Sequence, residues 1–262
     1  MKTLLPILLF LFTVILFSCT PDDEIPEPPL TSCTLVSKKY MYPDKSFNET
    51  HYFYTSTGQL QKTEEYNQTG ELFAYTEYEF SNGRATKLVT GSSSGKSAET
   101  LLTYEEDRVV KLEHFVKKAD QTYGKLYEKT LTYTGDKISR VSYMFFNGGS
   151  SFYAIYEYTG DNITIVKAYD LATGQLVEED YYQYDDKANP FYHTHPFRAD
   201  HVQESSKNNV IHSKIVSHRH QPELPEVSYA YQYDNGGKPT KKVVNAPGWE
   251  GIAEEVYSYA CN

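Results

Sequence analysis

Histidines are the residues of this chain whose type and spacing come nearest to a reaction centre. Six of the eight histidines lie between His193 and His220. His193 and His195 are two residues apart, as are His218 and His220, so in a strand each pair would share one face. Neutral imidazole is a common transition-metal ligand, and three or four such rings could hold zinc if the strands pair. The spacing therefore raises a metal-assisted hydrolase as one hypothesis.

Other features of the same segment favour a non-catalytic interpretation. No cysteine accompanies these histidines, and no His-Glu-x-x-His spacing occurs. The stretch NPFYHTHPFRAD (189–200) contains two prolines, which is typical of an irregular connection. We therefore expect the histidines to lie on a loop or a strand surface, and we expect neither a cofactor nor catalytic residues.

Two further stretches have the composition of a chemical site without its spacing. Glu178, Glu179 and Asp180 could suggest the carboxylate pair of a glycoside hydrolase. Adjacent strand residues point to opposite faces, so we expect a solvated edge instead. TGSSSGKS (90–97) has the residues of a phosphate-binding loop, but the spacing is one residue short and no helix follows. A hairpin tip is expected there.

Aromatic side chains offer the better lead to a ligand. The chain has 25 tyrosines and 13 phenylalanines, and its one tryptophan, Trp249, lies in NAPGWEG (245–251). Trp249 and Tyr192 could stack on sugar rings, which predicts a glycan or other small-ligand site. The alternative is that the tyrosines fill the interior of a sheet and Trp249 packs between repeats. A protein ligand and a purely structural role also remain open.

The N-terminal residues predict the compartment. Lys2 precedes the apolar run LLPILLFLFTVILF (4–17), which suits a signal peptide and is short for a membrane span. LFSC (16–19) resembles a bacterial lipobox, although its phenylalanine is bulkier than usual. The resemblance implies that residues 1–18 are removed and that Cys19 is lipidated. An ordinary secretory signal, with Cys19 incidental, is the alternative.

The next residues read as a spacer. TPDDEIPEPPL (20–30) has four prolines and four acidic residues, so residues 19–32 are expected to form an extended tether. Its DDE cluster (22–24) resembles the export signal that sends Bacteroidota lipoproteins to the outer face of the outer membrane. We therefore expect a surface-exposed envelope protein whose membrane partner is reached through the lipid on Cys19. The net charge of −10 argues against nucleic acid as a partner.

One short motif recurs along the rest of the chain. An aromatic pair separated by one residue, with leucine as the first member at 102 and 131, precedes a turn. The second member of each copy is Tyr54, Phe80, Tyr104, Tyr133, Tyr158, Tyr184, Tyr233 and Tyr259. The spacing is about 25 residues, except for 49 between Tyr184 and Tyr233. We interpret Val202-Gln203-Glu204 as a worn copy that fills this gap. An internal repeat of this kind predicts an array of identical supersecondary units.

Within each copy the apolar residues alternate with polar ones, and Gly, Asn and Asp follow the aromatic pair. Alternation of this period is typical of half-buried strands joined by tight turns. Residues 33–262 are therefore expected to form a single all-β domain of about eight hairpins. A sheet this wide curls or closes, which predicts a barrel-like or superhelical sheet, with a curled sheet open at both ends as the alternative to closure.

The repeat unit resembles the YD repeats of RHS-type proteins. It is more similar still to uncharacterised Bacteroidota lipoproteins described as having a porin-like fold. The most specific pieces are YQYDDKANPFY (182–192) and SKNNV (206–210). The resemblance implies a fold and a location and no activity.

Cys33 and Cys261 lie near the two ends of the repeat region. In an oxidising compartment such a pair favours a disulfide, which would join the first strand to the last at the seam of a barrel. Two separate thiols are the alternative.

Overall fold

Strands numbered in chain order form one closed antiparallel barrel in the computed structural model, which describes residues 33–192, 201–219, 225–248 and 253–261. The strands are β1 (Cys33–Met41), β2 (Phe47–Tyr54), β3 (Leu60–Asn67), β4 (Leu72–Ser81), β5 (Arg84–Ser92), β6 (Gly95–Glu105), β7 (Arg108–Lys117), β8 (Tyr123–Thr134), β9 (Lys137–Phe145), β10 (Phe152–Thr159), β11 (Asn162–Asp170), β12 (Leu176–Ala188), β13 (Asn208–Ser217), β14 (Val227–Tyr233), β15 (Pro239–Asn245) and β16 (Ala253–Cys261). Each strand pairs with its neighbours in sequence, so the fold is a simple meander.

Closure joins the first strand to the last. β1 and β16 pair from Cys33 opposite Cys261 to Met41 opposite Glu254, and a disulfide links the two cysteines. The predicted all-β barrel is confirmed, and the alternative of a sheet with two open ends is wrong. Closure pairs the two terminal strands with each other, so neither presents a free edge, whereas β13 and β14 pair at only two positions.

The recurring aromatic motif lies near the C-terminal end of every even-numbered strand. Because neighbouring strands are antiparallel, all eight copies lie at one end of the barrel, together with the disulfide. We call this the tyrosine end. The turns that follow are tight, and Gly58 and Gly83 adopt φ of +81° and +76° there, a conformation that glycine reaches without strain.

In four copies of the motif, the second tyrosine links its hairpin to the one before it. Tyr104 Oη donates to the Ala85 carbonyl at 2.7 Å, and Tyr133 Oη donates to the Val109 carbonyl at 2.8 Å. The same contact joins Tyr184 to the Ile163 carbonyl and Tyr259 to the Pro239 carbonyl. The ring fills the interior while the hydroxyl bonds the neighbouring repeat, which explains why tyrosine recurs.

The interpretation of 202–204 as a worn hairpin strand is wrong. β12 and β13 are themselves the two arms of one hairpin, paired from Glu178 opposite Ser217 onward, and the chain between them, residues 189–207, takes the place of a tight turn. Val202–Ser205 forms a single helical turn, α1. The long spacing therefore reflects an insertion and not an additional repeat. No helix among the described residues is long and apolar enough to span a membrane.

Candidate functional site

The described part of the insertion, residues 189–192 and 201–207, packs inside the barrel, and we call it the plug. The first and last residues of the plug are hydrogen-bonded to each other. Asn189 Nδ2 donates to the Ser206 carbonyl at 2.8 Å, and the backbone amide of Asn189 donates to the Lys207 carbonyl at 2.9 Å. The Ser206 side chain is fully buried, and its Oγ accepts the Ile163 amide at 3.2 Å. The plug is therefore fixed to the wall at β11.

Asparagines beyond the plug extend this anchor into the next strand. Asn208 exchanges two hydrogen bonds with Asn162, at 2.9 and 3.0 Å. Asn209 is buried, and its amide donates to Asp185 Oδ1 at 3.1 Å. YQYDDKANPFY and SKNNV, the two most specific stretches of the sequence, are thus the segments that hold the plug in place.

Apolar plug side chains pack against the barrel wall. The Phe191 ring lies 6.3 Å from the ring of Tyr52 and 6.1 Å from that of Tyr257, measured between centroids. Val202 is 8% exposed and belongs to the central cluster of buried residues. These contacts remove apolar surface from water, so the plug adds to the core of the barrel.

The plug divides the lumen into two chambers. The proximal chamber, at the tyrosine end, has a volume of about 640 Å³ and is bordered by Cys33, Pro190 and Tyr192. The distal chamber, on the other side of the plug, has a volume of about 410 Å³ and is bordered by Phe191 and Val202. Both volumes fall in the range of small-molecule sites, about 300–1,000 Å³.

The distal chamber has a polar and charged lining. Its wall includes Thr50, Thr63, Tyr52, Tyr182, Lys38, Glu65, Asp180 and Glu255, and the plug contributes His201 and Glu204. His201 is exposed, so solvent reaches the chamber. Hydroxyls and carboxylates at this density favour a polar ligand over an apolar one.

One carboxylate of the distal chamber is already paired. Glu255 Oε1 lies 2.7 Å from Lys242 Nζ, and Glu255 Oε2 accepts the Tyr257 hydroxyl at 2.6 Å. Burial alone would raise the pKa of Glu255, but the ammonium groups of Lys242 and Lys38 outweigh it and hold this pKa below its usual value. Glu255 is therefore ionised, and the pair forms part of the fixed wall.

Asp180 has a different environment. Its Oδ1 is buried and receives no hydrogen bond from the described residues, while its Oδ2 accepts the Tyr182 hydroxyl at 3.3 Å. Burial, with a further contribution from the Glu178 carboxylate, raises the pKa of Asp180 to about 6. The expectation of a solvated edge at 178–180 is wrong for Asp180, because it faces the lumen, whereas Glu179 faces outward.

The structure does not gather the candidate metal ligands that it describes. His218 Nε2 lies 3.1 Å from Glu179 Oε2 on the outer face. His193, His195 and His220 lie outside the described residues, so the predicted four-histidine site stays a prediction. Within the described ranges, no three His, Cys, Asp or Glu side chains are close enough together to hold a metal ion.

Of the other predicted site residues, the structure describes some and not others. Tyr192 borders the proximal chamber, where burial raises its pKa. Trp249 and Cys19 lie outside the described residues, so sugar stacking on Trp249 and lipidation of Cys19 stay predictions. Sequence reasoning missed the distal chamber, although the 49-residue spacing was a signal that a segment had been inserted there.

Charged residues cover the outer face of the wall. On β4, Glu77 and Glu79 alternate with the inward Tyr78. Each lies 3.0 Å from a lysine on an adjacent strand, Lys62 of β3 and Lys87 of β5 respectively. Similar outward ion pairs on other strands are Lys125–Glu113, Lys167–Glu157 and Lys241–Glu254, at 2.6, 2.7 and 2.7 Å. Exposed pairs contribute little stability, but they give this face a hydrated surface.

No protein-family model and no curated protein matches the chain. Solved structures do match: a porin-like protein from Bacteroides uniformis ATCC 8492 is 14% identical, with a TM-score of 0.58 over 88% of this chain and 99% of that one. A porin-like protein from Bacteroides vulgatus ATCC 8482 is 11% identical, with a TM-score of 0.58 over 87% and 99%. These likenesses establish a porin-like barrel fold.

A crystal structure of TcdB2-TccC3 aligns over 82% of this chain and 14% of that one, with 12% identity and a TM-score of 0.36. That score is too low to establish a shared fold. The resemblance to YD repeats therefore stays a prediction from the sequence.

Proposed function

We propose that this chain is a surface-anchored, non-catalytic binding module whose barrel lumen takes a small polar ligand. The distal chamber carries the proposal, since it is a partly enclosed space between the wall and the plug that is lined by hydroxyl and charged groups. Lipidation at Cys19 would supply the anchor, and residues 19–32 would supply the tether.

The outer face supports a barrel that stands in water beside the membrane. A lipid-facing wall would need an apolar band, and a lysine or arginine at its midplane costs about 2–4 kcal/mol. Here the corresponding positions hold Lys–Glu pairs such as Lys62–Glu77. The porin-like fold is thus proposed to serve as a tethered container and not as a pore.

The position of Cys33 supports an orientation. The tether enters β1 at the tyrosine end, so that end faces the membrane and the distal chamber lies in the half directed away from it. The plug stands between the chamber and the anchored end. A ligand arriving from outside the cell would therefore meet the distal chamber first.

Ligand-induced stabilisation tests this function. The full chain carrying Cys19→Ser, which removes the lipid, is melted with a panel of sugars, amino acids and small amines. A ligand at 100 times its Kd adds about 2.7 kcal/mol to the free energy of unfolding, which a thermal shift detects. Thr50→Trp fills the distal chamber, and Gln61→Trp, on the exposed face of β3, is the matched control.

We expect a shift that Thr50→Trp abolishes and Gln61→Trp retains. An equal shift in both variants would place the ligand outside the lumen and overturn the proposal. Silence across the panel would favour a protein ligand or a structural envelope component. A shift with zinc that EDTA reverses would instead favour the hydrolase hypothesis, which no observation among the described residues supports.

A further inference from the structure

Resting on the proposed function, we infer that the distal chamber selects ligands that carry a primary ammonium group, seated at Asp180. The inference concerns which small polar molecules enter, and it follows from the charges and hydrogen-bonding groups on the wall. A porin-like fold by itself implies no such preference.

Negative charge exceeds positive charge around the chamber. Among the described residues that line it, four carry carboxylates (Glu65, Asp180, Glu204 and Glu255) and one, Lys38, carries an ammonium. Lys242, next to the chamber, neutralises Glu255 at 2.7 Å. The remaining excess of acidic groups in a partly enclosed space attracts a cation and repels an anion.

Asp180 is an acidic group of the chamber in which only one of the two carboxylate oxygens is hydrogen-bonded by the described residues. The Tyr182 hydroxyl donates a hydrogen bond to Oδ2, but Oδ1 is buried and has no donor among the described residues. The charged group with the largest effect on the pKa of Asp180 is another carboxylate, Glu178, which raises it. A buried carboxylate oxygen without a donor is costly, and an ammonium group from the ligand would supply both the donor and the opposite charge.

The rest of the lining suits the body of a small organic amine. Tyr52, Tyr182 and Phe191 supply ring faces, and Thr50 and Thr63 supply hydroxyls. Lys38 Nζ lies 5.5 Å from the centroid of the Phe191 ring. The face of this ring therefore stabilises the Lys38 ammonium by a cation–π interaction. A hydroxylated amine of amino-sugar size matches both the volume and this mixture of groups.

Matched pairs of ligands test the inference with the full chain carrying Cys19→Ser. Calorimetric titrations compare glucosamine with glucose, and putrescine with 1,4-butanediol, at neutral pH and low salt. We expect each amine to bind at least about tenfold more tightly than its neutral counterpart. Asp180→Asn should bring that ratio close to one. Glu179→Gln, the same chemical change on the outer face of β12, should leave it unchanged.

Each alternative result separates the two proposals. Equal binding of amines and neutral counterparts would overturn the inference and leave lumen binding intact. An unchanged ratio in Asp180→Asn would overturn the seat at Asp180. Absence of binding by every probe would overturn the inference, and the proposed function would then depend on the wider panel. If Asp180→Asn does not fold, Glu65→Gln, which removes a charge from the chamber wall, should lower the same ratio, and no change there would contradict the inference.

Discussion

On the tyrosine side of the plug, inward side chains such as Ile163, Leu60 and Ala85 are buried and apolar. On the distal side, the same strand β3 carries Glu65 inward, and β12, which pairs with β11, carries Asp180 inward. Both halves follow the alternation of a strand, and only the chemistry of the inward positions changes along its length. The comparison teaches that one repeat can build a core at one end of a barrel and a polar chamber at the other.

Breaking the disulfide should have the largest effect, because it removes the covalent closure of the tyrosine end. The bonded cysteines are 228 residues apart, and the chain-entropy estimate for a loop of this size is about 5 kcal/mol. We expect the double variant Cys33→Ser, Cys261→Ser to lose a large part of this free energy of unfolding, as measured by denaturant unfolding. Dithiothreitol should weaken the wild type equally and leave the variant unaffected.

Ile163→Ala should have the next largest effect. Ile163 is 0% exposed in the tyrosine half, and such truncations cost about 3 kcal/mol. Ile155→Ala, at an outward position that is 36% exposed, is the matched control and should cost below about 1 kcal/mol. Similar losses in the two variants, measured by urea unfolding, would show that the interior of this half is not the core.

Asp180→Asn, in the distal chamber, should have the third largest effect on stability, and this effect should depend on pH. The folded-state pKa of about 6 exceeds the ordinary 3.8, so the native state binds more protons than the unfolded state between pH 4 and 6. Wild-type stability should therefore fall as pH rises through this window. The Asp180→Asn variant has no carboxyl group there, so its stability should not fall in this window. At pH 7 its free energy of unfolding should exceed that of the wild type by about 1.5 kcal/mol. This value is about half of what the full pKa shift implies, because Asp180 keeps some contact with solvent.

Melting temperatures of the two proteins from pH 4 to pH 7.5 give the measurement. The curves should meet near pH 4 and diverge as Asp180 ionises. Parallel curves would mean that Asp180 has an ordinary carboxyl environment, and the contrast between the two halves would then lose its electrostatic part.

Tyr133→Phe should have the smallest effect. It removes the hydroxyl that bonds the Val109 carbonyl at 2.8 Å, for a loss of about 1 kcal/mol. Tyr54 is the matched control, because its Oη is buried without a partner among the described residues, so Tyr54→Phe should be neutral or stabilising. The reverse order in thermal unfolding would contradict the role given to the motif hydroxyl.

The spacing of the aromatic pairs was enough to predict the hairpins and a curled or closed sheet, and the positions of Cys33 and Cys261 favoured a disulfide at its seam. Those features depend on alternation and turn residues, which are local and repeat along the chain. The plug was not predictable in this way. Val202 and its neighbours have an alternation that a strand would also show, and only packing inside a lumen distinguishes the two.

Asp180 shows why the chamber was missed. In an ordinary sheet a run such as 178–180 is expected at a solvated surface, because one buried face leaves no room for charge. A barrel of this many strands encloses more space than its side chains fill, so its inward face can also be polar. The rule of apolar inside and polar outside therefore fails in the half of the lumen where the chamber lies.

The disulfide also decides how the barrel carries mechanical load. A pull on the chain before Cys33 reaches the fold at that residue, and the bond to Cys261 passes part of that force directly into β16. Two paired strands, β1 and β16, then resist together, and sliding them requires shearing the ladders to β2 and β15 at once. With the proposed lipid anchor on Cys19, drag on the barrel would therefore be borne by two adjacent strands and not by one.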